Sequence, residues 1–216
     1  MIRVTPAPEP ADFDVKVRQP GLRAVREMCG QPVAKRPGRP RKVVAKRPED
    51  IPPDSFPPYW QDALDNLKNA YEHICAYSCF RIHPVTGAAS VDHMAPKSRR
   101  HDAVYEWSNY RLACSRLNAR KRDFQGLLDP FEIEDGWFQL ELLGFSVFPN
   151  PELSPRLRER VDSTITELGL NDFRSDREKD AHSYWDGHVS LAHLREQSPF
   201  VAAELKRQKW LRPGDA

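Results

Sequence analysis

Apolar positions fall on a helical stripe in the middle of the chain. Trp60, Ala63, Leu64, Leu67, Tyr71 and Ile74 share one face and predict a helix over 59–74. A second helix is predicted after Ser154-Pro155, with the serine as N-cap and the proline at the first helical position. Leu157, Val161, Ile165 and Leu168 form its apolar face, and Gly169 stops it. Residues 176–208 read as mainly helical. Between these blocks, Trp137, Leu140, Leu142, Phe145 and Val147 predict a hairpin bent at Gly144, after a turn at Asp129-Pro130-Phe131.

The chain divides on this pattern into four stretches. Residues 1–30 form a partly ordered segment, with Phe13, Val15, Val17, Leu22, Val25 and Met28 as docking groups. Residues 31–58 read as a flexible basic linker, because their prolines remove amide donors and force extended backbone. Residues 59–150 form the site-bearing domain, and 151–216 a helical C-terminal region. No internal repeat is visible. The expected class is α+β, a small β-hairpin and helix embedded in a mainly helical protein.

Hydrophobic residues at 39% and aromatics at 10% fit a folded protein of 216 residues, whereas 30% charged residues and 20 prolines leave part of it unpacked. The net charge of +2 hides an asymmetry. Residues 1–122 carry 22 Lys/Arg against 13 Asp/Glu, and residues 123–216 carry 11 against 18. The basic half suits a polyanion, and the acidic half a structural or partner-facing role. The start, Met1-Ile2-Arg3-Val4-Thr5-Pro6, lacks the apolar run of a signal peptide, and no stretch is long enough to span a membrane. Four cysteines are too sparse for a disulfide scaffold, so a cytoplasmic, reducing location is expected.

The chemistry concentrates in residues 75–122. Val91-Asp92-His93-Met94-Ala95-Pro96-Lys97 is followed by Trp107-Ser108-Asn109-Tyr110 and by Leu117-Asn118-Ala119-Arg120-Lys121. Hydrolysing a phosphodiester requires a deprotonated water, neutralised phosphate charge and a stabilised leaving oxygen. His93 suits the first task, since imidazole titrates near neutrality. Asp92 suits the second by holding a hard cation such as Mg²⁺ or Mn²⁺, with the Asn118 carbonyl oxygen as a further ligand. Adjacent strand residues point to opposite faces, so a bend or bulge at Asp92-His93 is expected to bring both to one phosphate. The 26 residues from Asp92 to Asn118 fit strand, loop, strand and helix.

These residues resemble the ββα-metal, or HNH, endonuclease family. The resemblance implies that Asp92 and Asn118 hold metal, His93 is the general base and Asn109 keeps the connecting loop in shape. It also implies that Lys97, Arg120 and Lys121 meet the nucleic-acid backbone. Within the family, Tyr105-Glu106-Trp107-Ser108-Asn109-Tyr110-Arg111-Leu112-Ala113-Cys114, Asn118-Ala119-Arg120-Lys121-Arg122-Asp123-Phe124 and Leu168-Gly169-Leu170-Asn171 are similar to one branch. That branch comprises the nuclease partners of ABC-type ATPases in Septu-like and retron-associated antiphage systems. The likeness covers residues 59–175 and extends weakly to Glu9-Pro10 and Arg18-Gln19-Pro20-Gly21. It implies DNA as substrate and an ATPase as partner.

Many relatives of this kind carry two cysteine pairs around a structural Zn²⁺. Here Cys75, Cys79 and Cys114 supply three thiols, and an apolar residue, Leu117, stands near the place of a fourth. Four ligands are the norm for a closed zinc site, and His73 or His83 are the available substitutes. The other reading is that all three are small buried core residues. The stretch Arg36-Pro37-Gly38-Arg39-Pro40-Arg41-Lys42 resembles an AT-hook core, in which Arg39 and Arg41 would enter a narrow A·T minor groove. A solvated linker is the alternative. Two other functions share these residues: a non-catalytic DNA-binding or adaptor subunit of an ATPase complex, and an RNase with the same metal site.

Overall fold

The computed structural model describes residues 1–34, 39–83, 85–124 and 126–216. Helix α1 (Gln19–Met28) continues from a wider turn over Asp14–Arg18 and buries Phe13, Val17, Ala24 and Met28. Val15 and Leu22, expected to dock, face outward instead. Gly21 explains how closely α1 approaches the core: a Cβ built on it would sit 2.3 Å from the ring of Tyr105.

The segment after α1 is not wholly the loose linker expected for 31–58. The amides of Val44 and Ala45 donate to Met28 O, Ile51 and Phe56 are buried in the main core, and Tyr105 OH donates to Pro57 O at 2.9 Å. Two isolated apolar side chains among prolines have no periodicity, so composition hid their burial. Arg36, Pro37 and Gly38 of the AT-hook-like stretch, with Lys35 before it, lie outside the described residues.

The helix expected over 59–74 is shorter. A 3₁₀ turn at Tyr59–Ala63 leads into α2 (Leu64–Ala70), and left-handed backbone at Glu72 and His73 (φ 50° and 61°) ends it. His73 O then accepts from the Ile82 amide, turning the chain toward the sheet.

Strand β1 (Ala89–His93) pairs antiparallel with β2 (Tyr110–Cys114), Ala89 facing Cys114 and His93 facing Tyr110. Helix α3 (Ser115–Lys121) follows β2 with no intervening residue. Its Leu117 is buried against the hairpin, and Ser115 N and Oγ both bond Ala88 O, closing the hairpin's open end. The result is strand, long loop, strand, helix.

A second hairpin, β3 (Phe138–Leu140) with β4 (Val147–Pro149), lies where alternation placed it. Its turn is organised by the Glu141 carboxylate, which accepts from the amides of Leu143, Gly144 and Ser146. The left-handed residue is Phe145 (φ 55°) rather than Gly144. Helix α4 (Pro155–Leu168) has the expected caps: Ser154 Oγ accepts from Leu157 N, and Gly169 is left-handed (φ 60°, ψ 43°). Helices α5 (Arg174–Trp185), α6 (Leu191–Gln197) and α7 (Pro199–Arg207) complete the C-terminal region. One core cluster runs from Phe13 through Leu112 to Leu205, and the mixed helices and small antiparallel sheets make the protein α+β. No helix among the described residues is long and apolar enough to cross a membrane.

Candidate functional site

The end of β1 is the polar centre of an otherwise apolar region. The ladder runs through Asp92 opposite Arg111 and His93 opposite Tyr110 without a bulge, so the expected bulge is not there. The two side chains leave on different sides. Asp92, only 3% exposed, meets Tyr77 and Lys121. His93, 8% exposed, packs edge-on to Trp60 at 4.9 Å and to Tyr110 at 5.2 Å between ring centroids.

The Asp92 carboxylate is held at both oxygens. Tyr77 OH donates to Oδ2, and Lys121 Nζ lies 3.1 Å from Oδ1. Lys121 also donates to His93 O at 2.6 Å and is 1% exposed. Burial, with Asp92 beside it, holds the Tyr77 phenol well above its usual range, so it stays a donor. Tyr77 was not legible from the sequence; it lies 15 residues before Asp92 with no spacing rule to connect them.

His93 Nε2 is 3.0 Å from Val104 O. A carbonyl only accepts, so Nε2 carries the proton and Nδ1 presents the lone pair. Nδ1 has no hydrogen-bond partner among the described residues. Burial lowers the His93 pKa to about 4, against the smaller raising effect of Val104 O, and the ring is neutral at pH 7. The arrangement gives an oriented neutral base.

Asn109 clasps the loop between the strands. Its Oδ1 accepts from Ala95 N at 2.7 Å, and its Nδ2 donates to Ala95 O at 3.1 Å and Ala103 O at 3.0 Å. All three bonds are to backbone of the loop between the strands. Asn118 is half-buried on α3, with Nδ2 donating to Ser90 Oγ at 3.1 Å and Val91 O at 3.3 Å. Its Oδ1 has no hydrogen-bond partner among the described residues.

The basic residues are dispersed. Lys97 Nζ sits 4.5 Å over the Trp60 ring that also touches His93, and burial lowers its pKa. Arg120 is turned away: it donates to Leu168 O and Gly169 O and pairs with Asp172 beyond α4. Lys121 faces Asp92, so neither matches the backbone contact the sequence suggested. Arg39 is exposed, and Arg41 binds Tyr59 OH at 2.9 Å and approaches Glu27. Asp129 is also occupied, through Arg111 Nε at 2.8 Å. A groove of about 800 Å³ beside the end of α3 is lined by Arg120, Lys121 and Arg122, but also by Asp123, Glu167 and Asp172.

Among the described residues, no three His, Cys, Asp or Glu side chains cluster closely enough to hold a metal. The zinc expectation therefore lacks a ligand set: Cys75 and Cys79 are fully in the core, and Cys75 Sγ accepts from the Cys114 amide. Burial raises the Cys79 thiol, and the hydrogen bond to Cys75 raises that of Cys114. Asp92 and Asn118 are a different matter. They offer only oxygen, the donor a hard cation takes, and leave most of a six-coordinate shell to water and phosphate. The residues fit such a cation in kind, provided that Lys121 yields or shares Oδ1.

The N-terminal segment braces this region. Arg18 pairs with Glu9 and with Glu106 at 3.0 Å, just before the turn carrying Asn109, and Trp107 Nε1 donates to Ala7 O at 2.9 Å. No protein-family model matches the chain, and no curated protein matches its sequence.

Proposed function

We propose that the protein is a metal-dependent endonuclease of the HNH type that hydrolyses DNA phosphodiester bonds. The observation that carries this is the tautomer of His93: a neutral imidazole, fixed by Val104 O, whose Nδ1 has no partner among the described residues, at the end of the strand that also bears Asp92. Strand, loop, strand and helix in that order, with Asn109 on the loop and Asn118 on the helix, support it.

In this reading His93 Nδ1 takes the proton from the attacking water, and Val104 O stabilises the imidazolium that forms. Asn109 keeps residues 95–103 in the shape that places Val104 O. Asp92 and Asn118 Oδ1 hold a divalent cation, which when bound supplies the positive charge for the phosphate and the leaving oxygen. Tyr77 fixes the direction of the Asp92 carboxylate. Of the basic residues the sequence suggested, Lys97 and the exposed Arg39 are left to meet the backbone. Action against invading DNA, with an ABC-type ATPase partner, rests on the resemblance of the motif region alone.

A second reading has an observation of its own. The metal ligand Asp92 is buried and already neutralised by Lys121, as in a silent DNA-binding or adaptor subunit. Cleavage of supercoiled plasmid and of matched RNA, with Mg²⁺ or Mn²⁺ against EDTA, separates these functions. Metal-dependent DNA nicking or linearisation supports the nuclease, cutting confined to RNA makes it an RNase, and inertness with and without the ATPase partner leaves the adaptor.

A further inference from the structure

Lys121 is the unexpected member of the site. The sequence places it on the polyanion-facing end of α3, yet its ammonium is buried between Asp92 Oδ1 and His93 O. Resting on the nuclease reading above, we infer that Lys121 is the resident cation of the metal-free site, and that a divalent metal gains Asp92 by displacing it.

Three features carry this. A hard cation coordinates oxygen at about 2–2.5 Å, whereas Lys121 Nζ already stands 3.1 Å from the same Oδ1. Two positive charges that close, in a pocket this dry, repel strongly. Second, the ammonium has somewhere to go. Lys121 is the last residue of α3, followed by Arg122 at positive φ (44°), and it borders the groove where Asp123 and Glu167 offer carboxylates. Third, Asp92 does not depend on Lys121 for its direction, because Tyr77 OH holds Oδ2 separately. The carboxylate can change cations without changing place. Lys121 is thus the exchangeable counter-charge of the metal ligand rather than its positioner, and it keeps a buried carboxylate paired whenever metal is scarce.

The test is Mn²⁺ binding to the full chain, followed by electron paramagnetic resonance, for wild type and Lys121→Met. Removing the competing ammonium tightens Mn²⁺ binding by at least about tenfold, within the usual range of coupling between two sites. Equal or weaker binding by the variant overturns the inference, since a scaffold role alone would leave affinity unchanged or loosen the site. Because Lys121→Met leaves a buried carboxylate without its cation and can fail to fold, the wild type provides a second readout. Acylation of Lys121, followed by mass spectrometry, is slow without metal and at least about tenfold faster at saturating Mn²⁺; protection unchanged by bound Mn²⁺ also overturns it. Absence of Mn²⁺ binding in both proteins is a separate outcome, which removes the nuclease reading and this inference with it.

Discussion

Lys121 Nζ lies 3.1 Å from Asp92 Oδ1, and both side chains are almost wholly buried. Taking either charge away leaves the other uncompensated in a dry site, which typically costs about 3–5 kcal/mol. Asp92→Ala therefore lowers stability by that order in urea unfolding, and the double variant Asp92→Ala/Lys121→Met recovers much of the loss. Additive losses in the cycle would mean that the pair is not coupled. The consequence for function is practical: an inactive Asp92→Ala protein proves nothing about metal unless its fold is checked.

Acid reaches His93 through folding. Its folded pKa, lowered by burial to about 4, lies below the unfolded value of 6.5. As pH falls, the unfolded chain takes up this proton first. The His93 contribution is therefore intact above pH 6.5 and is lost progressively down to about pH 4, amounting to about 3 kcal/mol. Urea midpoints of metal-free protein at pH 7.5 and 4.5 check this against His93→Gln. The variant keeps a smaller pH dependence; equal slopes would place the imidazole in a more open setting than its contacts with Trp60 and Tyr110 allow.

Asn109→Ala removes three hydrogen bonds to backbone and leaves Ala95 N and Ala95 O unpaired, while Ala103 O keeps the Glu106 amide at 3.4 Å. At roughly 1 kcal/mol or more for each lost bond, the loop loosens before the core does. Hydrogen exchange at the Ala95 amide accelerates by about 10²-fold or more by the same estimate. If exchange there is unchanged, Asn109 does not hold the loop, and its place in the site has another cause.

Gly21→Ala tests the docking of the N-terminal segment. The added methyl meets the Tyr105 ring at 2.3 Å, too close to be absorbed without moving α1 or the ring. Overpacking of this kind costs about 1–3 kcal/mol. Thermal unfolding should register the loss, together with weaker protection of Trp107 Nε1, which donates to Ala7 O on the same segment. A variant as stable as wild type would show that α1 sits more loosely on Tyr105.

What the sequence disclosed follows its local rules. Ser154, Pro155 and Gly169 mark α4 because capping and left-handed backbone are properties of those residues themselves. Asp92, His93, Asn109 and Asn118 fall in that order on a hairpin, its loop and a helix. Lys121 was misplaced because lysine is almost always exposed, and only the fold reveals a carboxylate waiting for it. Arg120 went astray similarly, drawn to the carbonyls that end α4. Ile51 and Phe56 gave no periodic signal, and Tyr77 reaches Asp92 only through tertiary packing.

The central claim is that His93 is the base of a metal-dependent nuclease. It is tested most directly by the rate of supercoiled plasmid cleavage, comparing wild type with His93→Ala at Mn²⁺ concentrations that give both proteins the same measured occupancy. Loss of a general base lowers the rate by about 10²–10⁴-fold with metal still bound. Cleavage by His93→Ala within about threefold of wild type, far short of that range, would contradict the account.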